Sequence, residues 1–328
     1  MSRNKVIDIM RALCAIYIIA IFHLNGYYVE GYQFTGNGEI ISKMLTIISL
    51  GGFTFISGFC LSKYSFYSIS DVFEFYKKRL SRFYVLYFLA ALTLYLTKYV
   101  IGKGWFYNDS QFLLSLFGLS SFYEPIPHTL WYFGMIMFFY LITPLMCFSN
   151  KKIVRFGIFI LLLGGAFLYD HYFYADSTLF LYFPFYFLGL LRPESVFKIS
   201  KKWSFILAGI SIILMSAIFI AIKTYGLQLP LEWMIIPPGI FLLISLARLL
   251  VSSKYITAFF TFVSFASMVA YLFHRHVFGV ACVVFSGNSS GPISPIVGFF
   301  ATIFLFVMSY YIQLLYNQVL NFFTQKKV

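Results

Sequence analysis

Three ionisable side chains stand in one hydrophobic stretch, IDIMRALCAIYIIAIFHLNGY at residues 7–27: Asp8, Arg11 and His23. A charge at the centre of a membrane helix costs about 2.5–3.5 kcal/mol on insertion scales, so these groups are expected to face a bundle interior rather than lipid. Asp8 and Arg11 are three residues apart and share one helical face, where they can pair. The alternative is an interfacial position in which Arg11 extends its head to the inner surface. His23 lies twelve residues beyond Arg11, about 18 Å deeper in a helix. Imidazole, with an ordinary pKa near 6.5, suits proton abstraction at neutral pH, although a buried, hydrogen-bonded histidine fits the same position.

Other polar groups also fall in apolar surroundings. YLFHRHVF at 271–278 carries His274, Arg275 and His276; consecutive helical residues point about 100° apart, so the three cannot all face one ligand. His128 and Trp131, three apart, share a face, and Trp131 could either stack on a ligand or serve as an interfacial aromatic anchor. YKKRLSR at 76–82 is the densest basic cluster. Ser57 and Gly58 suit close helix packing. Cys14, Cys60, Cys147 and Cys282 form no CxxC pair, and neither GxSxG nor metal-ligand spacing is present, so a disulfide framework, a covalent serine and a metal site have no support.

The elements that must position these residues follow from composition. Of 328 residues 61% are hydrophobic, 22% aromatic and only 11% charged, with a mean hydropathy of +0.85. One soluble core cannot hide that much apolar surface, so a bilayer must solvate it. Runs of roughly 17–25 apolar residues, the length that spans hydrocarbon, predict ten helices near 7–27, 46–66, 83–101, 129–148, 155–170, 177–191, 204–224, 233–250, 257–284 and 295–321. The fifth and sixth are short, which leaves eight or nine spans as alternatives. The expected fold is an all-α polytopic membrane bundle forming a single domain over 1–328, with no cleavable signal and no appended soluble domain.

Most of the 24 lysines and arginines fall in alternate breaks, including Lys5, the cluster Lys77, Lys78, Arg79 and Arg82, then Lys151, Lys152, Arg155, Lys198, Lys201, Lys202, Arg248 and Lys254. Positive charge is retained on the cytoplasmic side, so both termini are predicted cytoplasmic. The net charge of +13 is therefore a matter of topology, spread over many breaks, and does not indicate nucleic acid. At 76–82 a phosphate-binding role remains open beside the topological one.

IDIMRAL with the FH after it, together with FTFISGFCLS at 53–62, YKKRLSRFYVLY at 76–87, HTLWYFGMIMFFYLITPLM at 128–146, FPFYFLGLL at 183–191 and YLFH at 271–274, resembles in order the signature of the integral-membrane acyltransferase-3 family. That resemblance implies ten helices and transfer of an acyl group, usually acetyl from acetyl-CoA, to a hydroxyl on a glycan, lipid-linked sugar or related acceptor. It implies that His23 is the essential base and that Arg11, with Asp8 beside it, helps to hold the donor. Lys78, Arg79 and Arg82 are the further candidates for acyl-CoA phosphates, and His128, Trp131, His274 and Arg275 for the acceptor. Acetyl-CoA is expected as a co-substrate with no permanently bound cofactor, and the setting as a multi-pass plasma or inner membrane where cell-surface polysaccharide is O-acetylated. A transporter of a glycan or lipid-linked intermediate is the competing reading.

One departure bears on geometry. Eleven residues separate Arg11 from His23, where the family spacing is ten. At about 100° per residue, eleven steps leave two side chains about 20° apart around the axis and twelve leave them about 120° apart. Either the two act from different walls of a cavity or a π-bulge absorbs the extra residue, and the bulge or an equivalent kink is the prediction.

Overall fold

The computed structural model describes residues 4–100, 109–119, 129–149, 151–173, 178–191, 194–226, 229–287 and 291–325. Hydrocarbon offers backbone groups no hydrogen-bond partner, and the chain answers with helices: α1 (Lys5–Ala15) continuing into a π-helix (Ile16–His23), α2 (Asn37–Leu61), α3 (Ile69–Val100), α4 (Asp109–Leu116), α5 (Trp131–Cys147), α6 (Lys152–Phe173), α7 (Thr178–Leu190), α8 (Lys201–Tyr225), α9 (Leu229–Leu250), α10 (Lys254–Ser286) and α11 (Pro295–Gln325). Among the described residues the only strand pairing is an isolated bridge between Tyr28 and Ile293. Among the described residues eight helices are long and apolar enough to cross a membrane, and Trp131–Cys147 and Leu179–Leu190 are shorter apolar helices. Each of the ten expected runs therefore has its helix, and the chain is an all-α polytopic membrane protein.

Boundaries differ from the hydropathy reading at two places. α2 starts at Asn37, nine residues before the apolar run, and its exposed Glu39 and Lys43 form an i,i+4 ion pair at 2.8 Å. α3 starts at Ile69, so the basic cluster at 76–82 is helical rather than a break. Ser68 and Asp71 cap this helix reciprocally: the Asp71 backbone N–H donates to Ser68 Oγ, while the N–H groups of Tyr67 and Ser68 donate to Asp71 Oδ2. At 1.5 Å per residue α3 is about 48 Å long against about 30 Å of hydrocarbon, so it is long enough to span the apolar layer with its basic first part outside it. The short α4 has no counterpart among the expected runs.

The helices group into two compact units, one comprising Met1–Ile56 and Pro193–Leu314, the other Ser57–Arg192 and Leu315–Val328. In the first, α1 packs along α10 and α9, and α8 along α9. Small residues make the contacts close: Ala12 and Ala15 of α1 and Ala266 and Ala270 of α10 are wholly buried. In the second unit aromatic rings fill the interior. Phe159 and Phe187 stack at 4.3 Å, Phe139 and Tyr186 at 5.0 Å, and Thr143 bonds the Tyr186 hydroxyl.

Gly58 marks the tightest approach in this second unit. A Cβ there would stand 2.1 Å from the Tyr186 carbonyl oxygen of α7, a backbone atom that cannot rotate away. Gly58→Ala is expected to cost about 1–3 kcal/mol through overpacking, seen as a lower thermal midpoint in detergent. Gly164→Ala in α6 meets nothing within 4 Å and should leave the midpoint level or slightly raised. Equal midpoints for the two variants would contradict the packing described.

Candidate functional site

The first transmembrane segment changes its winding partway. α1 begins where the Asn4 side chain accepts from the Val6 N–H and runs as an α-helix to Ala15, after which Ile16–His23 is wound as a π-helix with i→i+5 bonding. The expected bulge is present, extended over two turns. Twelve α-helical steps would carry His23 about 120° from Arg11, and eight residues each turning about 15° less remove that offset. Ile18 and Ile19 of this segment are fully buried, and Tyr17 anchors it by donating its hydroxyl to the Ser42 carbonyl of α2 at 2.7 Å.

α10 supplies the opposing wall and runs parallel to α1. Ser264 Oγ, a third of the way along α10, donates to Asp8 Oδ1 in the first turn of α1 at 3.2 Å, and further along both the His23 and His274 rings lie 4.7 Å apart, inclined by 30°. Between these levels the first segment advances fifteen residues and α10 only ten. Two straight α-helices would differ there by about 7 Å. More residues per turn means less rise per residue, so the π segment takes up part of the mismatch.

His274 is wholly buried, with Nδ1 2.7 Å from the Tyr271 carbonyl oxygen three residues earlier. An amide carbonyl only accepts, so Nδ1 carries the proton and Nε2 presents a lone pair; among the described residues Nε2 has no hydrogen-bond partner. Tyr271 stands edge-on to His23 at 6.3 Å, and Phe22 at 5.2 Å. Phe278 closes the other side of His274 at 5.9 Å, with Tyr27 beyond it. Arg275, next in sequence to His274, turns to the Tyr27 phenol. His276 is turned to Phe273 at 5.2 Å, as its place on the helix demands. The result is two imidazoles side by side among aromatic rings.

The predicted residues thus separate. Asp8, Arg11, His23, His274 and Arg275 belong to one compact unit, whereas Lys78, Arg79, Arg82 and Trp131 belong to the other. Lys78 and Arg82 are exposed on α3. Arg79 folds back: its guanidinium donates to the Tyr64 hydroxyl at 3.2 Å and lies 5.2 Å from the centre of that ring, with Phe75 at 5.9 Å. Trp131 stacks on Tyr182 at 6.4 Å. His128 lies outside the described residues. Asp8, expected to face Arg11, also meets α10 through Ser264. The sequence does not single out that serine, Tyr17 or the Tyr271 carbonyl, because a hydroxyl or carbonyl in an apolar run carries no signal until its partner helix is known. Among the described residues no group of three or more His, Cys, Asp or Glu is placed to hold a metal.

A family model described as an acyltransferase domain matches residues 4–314, which include every residue of this site. No curated protein and no solved structure matches the chain.

Side-chain adjacency at the π segment can be tested without an activity. In a background lacking the four native cysteines, His23→Cys with His274→Cys should form an oxidative cross-link in membranes. The cross-link should survive deletion of Ala20, because one residue fewer lets the wide turns relax toward an α-helix without displacing the residues beyond them. Its absence before the deletion would remove the pair; its loss on deletion would make the π segment a rigid spacer.

Proposed function

The chain belongs to the acyltransferase-3 family, and from that premise we propose that it moves an acyl group, acetyl in the first instance, from cytosolic acyl-CoA to a hydroxyl of a cell-surface glycan or lipid-linked sugar across the plasma or inner membrane. The observation that carries this reading is the His23–His274 ring pair held in the membrane at 4.7 Å.

A thioester is already activated, so the reaction needs an acceptor proton removed as its oxygen attacks, a donor for the developing oxyanion, and both substrates in line. His23 is the base. The acceptor oxygen forms a bond to the acyl carbon as its proton passes to His23; the tetrahedral intermediate collapses with cleavage of the carbon–sulfur bond, and the leaving thiolate takes up a proton, restoring neutral His23. His274 holds its Nδ1 proton on the Tyr271 carbonyl, which leaves its Nε2 lone pair as an acceptor beside the His23 ring. It is the positioning residue for the acceptor hydroxyl. Arg275 and Trp131 are the further acceptor-side groups of this reading, and His128 joins them from the sequence alone. Arg11, on the side of His23 nearer the cytoplasm, meets the donor, with Asp8 fixing α1 against α10 through Ser264. Lys78, Arg79 and Arg82 form the basic inner surface that meets charged acyl-CoA. Histidines beyond the membrane midplane and cations at the inner face suit a donor entering from the cytosol and an acceptor from outside.

Purified protein incubated with radiolabelled acetyl-CoA and candidate glycans should transfer label to the glycan, and His23→Ala should lower the rate about 10²–10⁴-fold, the usual contribution of a general base. His274→Ala should raise KM for the acceptor more than it lowers kcat. Full transfer by His23→Ala would exclude it as the base. Glycan passage into vesicles without acetyl transfer would favour a transporter.

A further inference from the structure

A cleft of about 660 Å³ opens in the first unit where α1 and α10 begin, a volume usual for small-ligand sites. Lys5 and Lys254 line it at that end, Thr261 stands further along α10, and Phe262 and Phe265 form a wall with Tyr310 of α11. The Tyr310 ring lies 4.9 Å from that of Phe262 and 5.2 Å from that of Phe265. No acidic residue lines the cleft, and neither lysine has an ion pair among the described residues. We propose that this cleft seats one anionic phospholipid of the cytoplasmic leaflet, its phosphate on Lys5 and Lys254, its glycerol esters at Thr261 and an acyl chain along the rings. The assignment is independent of the acyl-transfer reading.

The order of groups along the cleft carries the assignment. Lys254, Thr261 and Phe265 are seven and four residues apart, so they share one face of α10. From the lysine to the last ring is eleven residues, about 16 Å, and half of a bilayer's hydrocarbon is about 15 Å. Charge, then hydroxyl, then apolar rings over the depth of one leaflet is the order in which a phospholipid presents phosphate, ester and chain. A water-soluble anion would leave the apolar wall unused. The Thr257 hydroxyl donates to the Val251 carbonyl at 3.2 Å, so Thr261 is the threonine left to meet an ester oxygen. Tyr255, next to Lys254, is 86% exposed, as suits an aromatic residue at headgroup level. Topology accounts for lysines on this side of the membrane, but not for the convergence of two from spans far apart in the chain. Each stands in the first turn of its helix, where the dipole opposes a positive charge, so helix stability does not place them there either. Anionic headgroups enrich the cytoplasmic leaflet and bind basic pockets between spans on that side. A lipid so seated lies against α1 and α10, the helices that lead to His23 and His274.

The test uses the full chain in a neutral detergent, with lipid binding read by native mass spectrometry. The first phosphatidylglycerol should bind about thirtyfold more tightly than phosphatidylcholine, about fivefold for each lysine. It should also raise the thermal midpoint. Lys5→Gln with Lys254→Gln should bring the two lipids to within about twofold of each other, as loss of both lysine contributions requires. Lys201→Gln with Lys202→Gln removes two exposed cations at the start of α8, outside the cleft, and should leave the preference intact. Thr261→Trp keeps every charge and fills the cleft, and should weaken phosphatidylglycerol specifically while phosphatidylcholine binding stays level. A preference that survives loss of Lys5 and Lys254, or that falls as far with Lys201 and Lys202, would reduce these cations to topology and overturn the site. Inorganic phosphate raising the midpoint as much as phosphatidylglycerol does, with Thr261→Trp without effect on either, would replace the lipid with a free anion.

Discussion

Hydrocarbon supplies no hydrogen-bond partner, and almost every feature of this protein derives from that one constraint. Backbone groups are satisfied within helices, and several polar side chains in the spans reach a backbone or side-chain acceptor: Thr54 its own helix, Tyr17 the Ser42 carbonyl, His274 the Tyr271 carbonyl and Ser264 the Asp8 carboxylate. Lipid tails are as apolar as leucine, so burying more leucine does not hold the helices together. Close contact does, which is why alanines line the α1–α10 seam and a glycine stands where α2 meets α7.

Within that constraint the π segment has a specific role. Departing from i→i−4 bonding gives up good helix geometry, and such departures persist where the surrounding packing fixes them and a site gains by them. Here buried Ile18 and Ile19 and the Tyr17–Ser42 bond hold the wide turns in place. The gain is angular and axial together: the wider turns bring His23 back toward the face of Arg11 and take up part of the axial mismatch with α10 at the histidine pair.

Parallel packing of the first and ninth spans gives the interface two chemically different ends. Where the two helices begin stand lysines, hydroxyls and an aromatic wall; further along stand imidazoles and tyrosines, with Arg275 beside them. Both ends are built largely from the same two helices.

Much of this was legible in the residues themselves. Ten apolar runs named ten helices, because a bilayer leaves the chain no other way to satisfy its backbone. The spacing of Arg11 and His23 predicted irregular winding, because rotation per residue in an α-helix is nearly fixed. Helix ends were less legible: hydropathy placed Lys77–Arg82 in a break although the Ser68–Asp71 capping pattern was present nearby, since apolar content reports the membrane core and not where a helix stops. What the tertiary structure alone decided was partnership. That Asp8 meets Ser264, that His23 lies beside His274, and that Lys5 and Lys254 share a cleft all depend on which helix packs against which. Contacts between the first span and the ninth join residues some 250 positions apart, and nothing local along the chain encodes that register; it is set by the fit of small and large side chains across the seam.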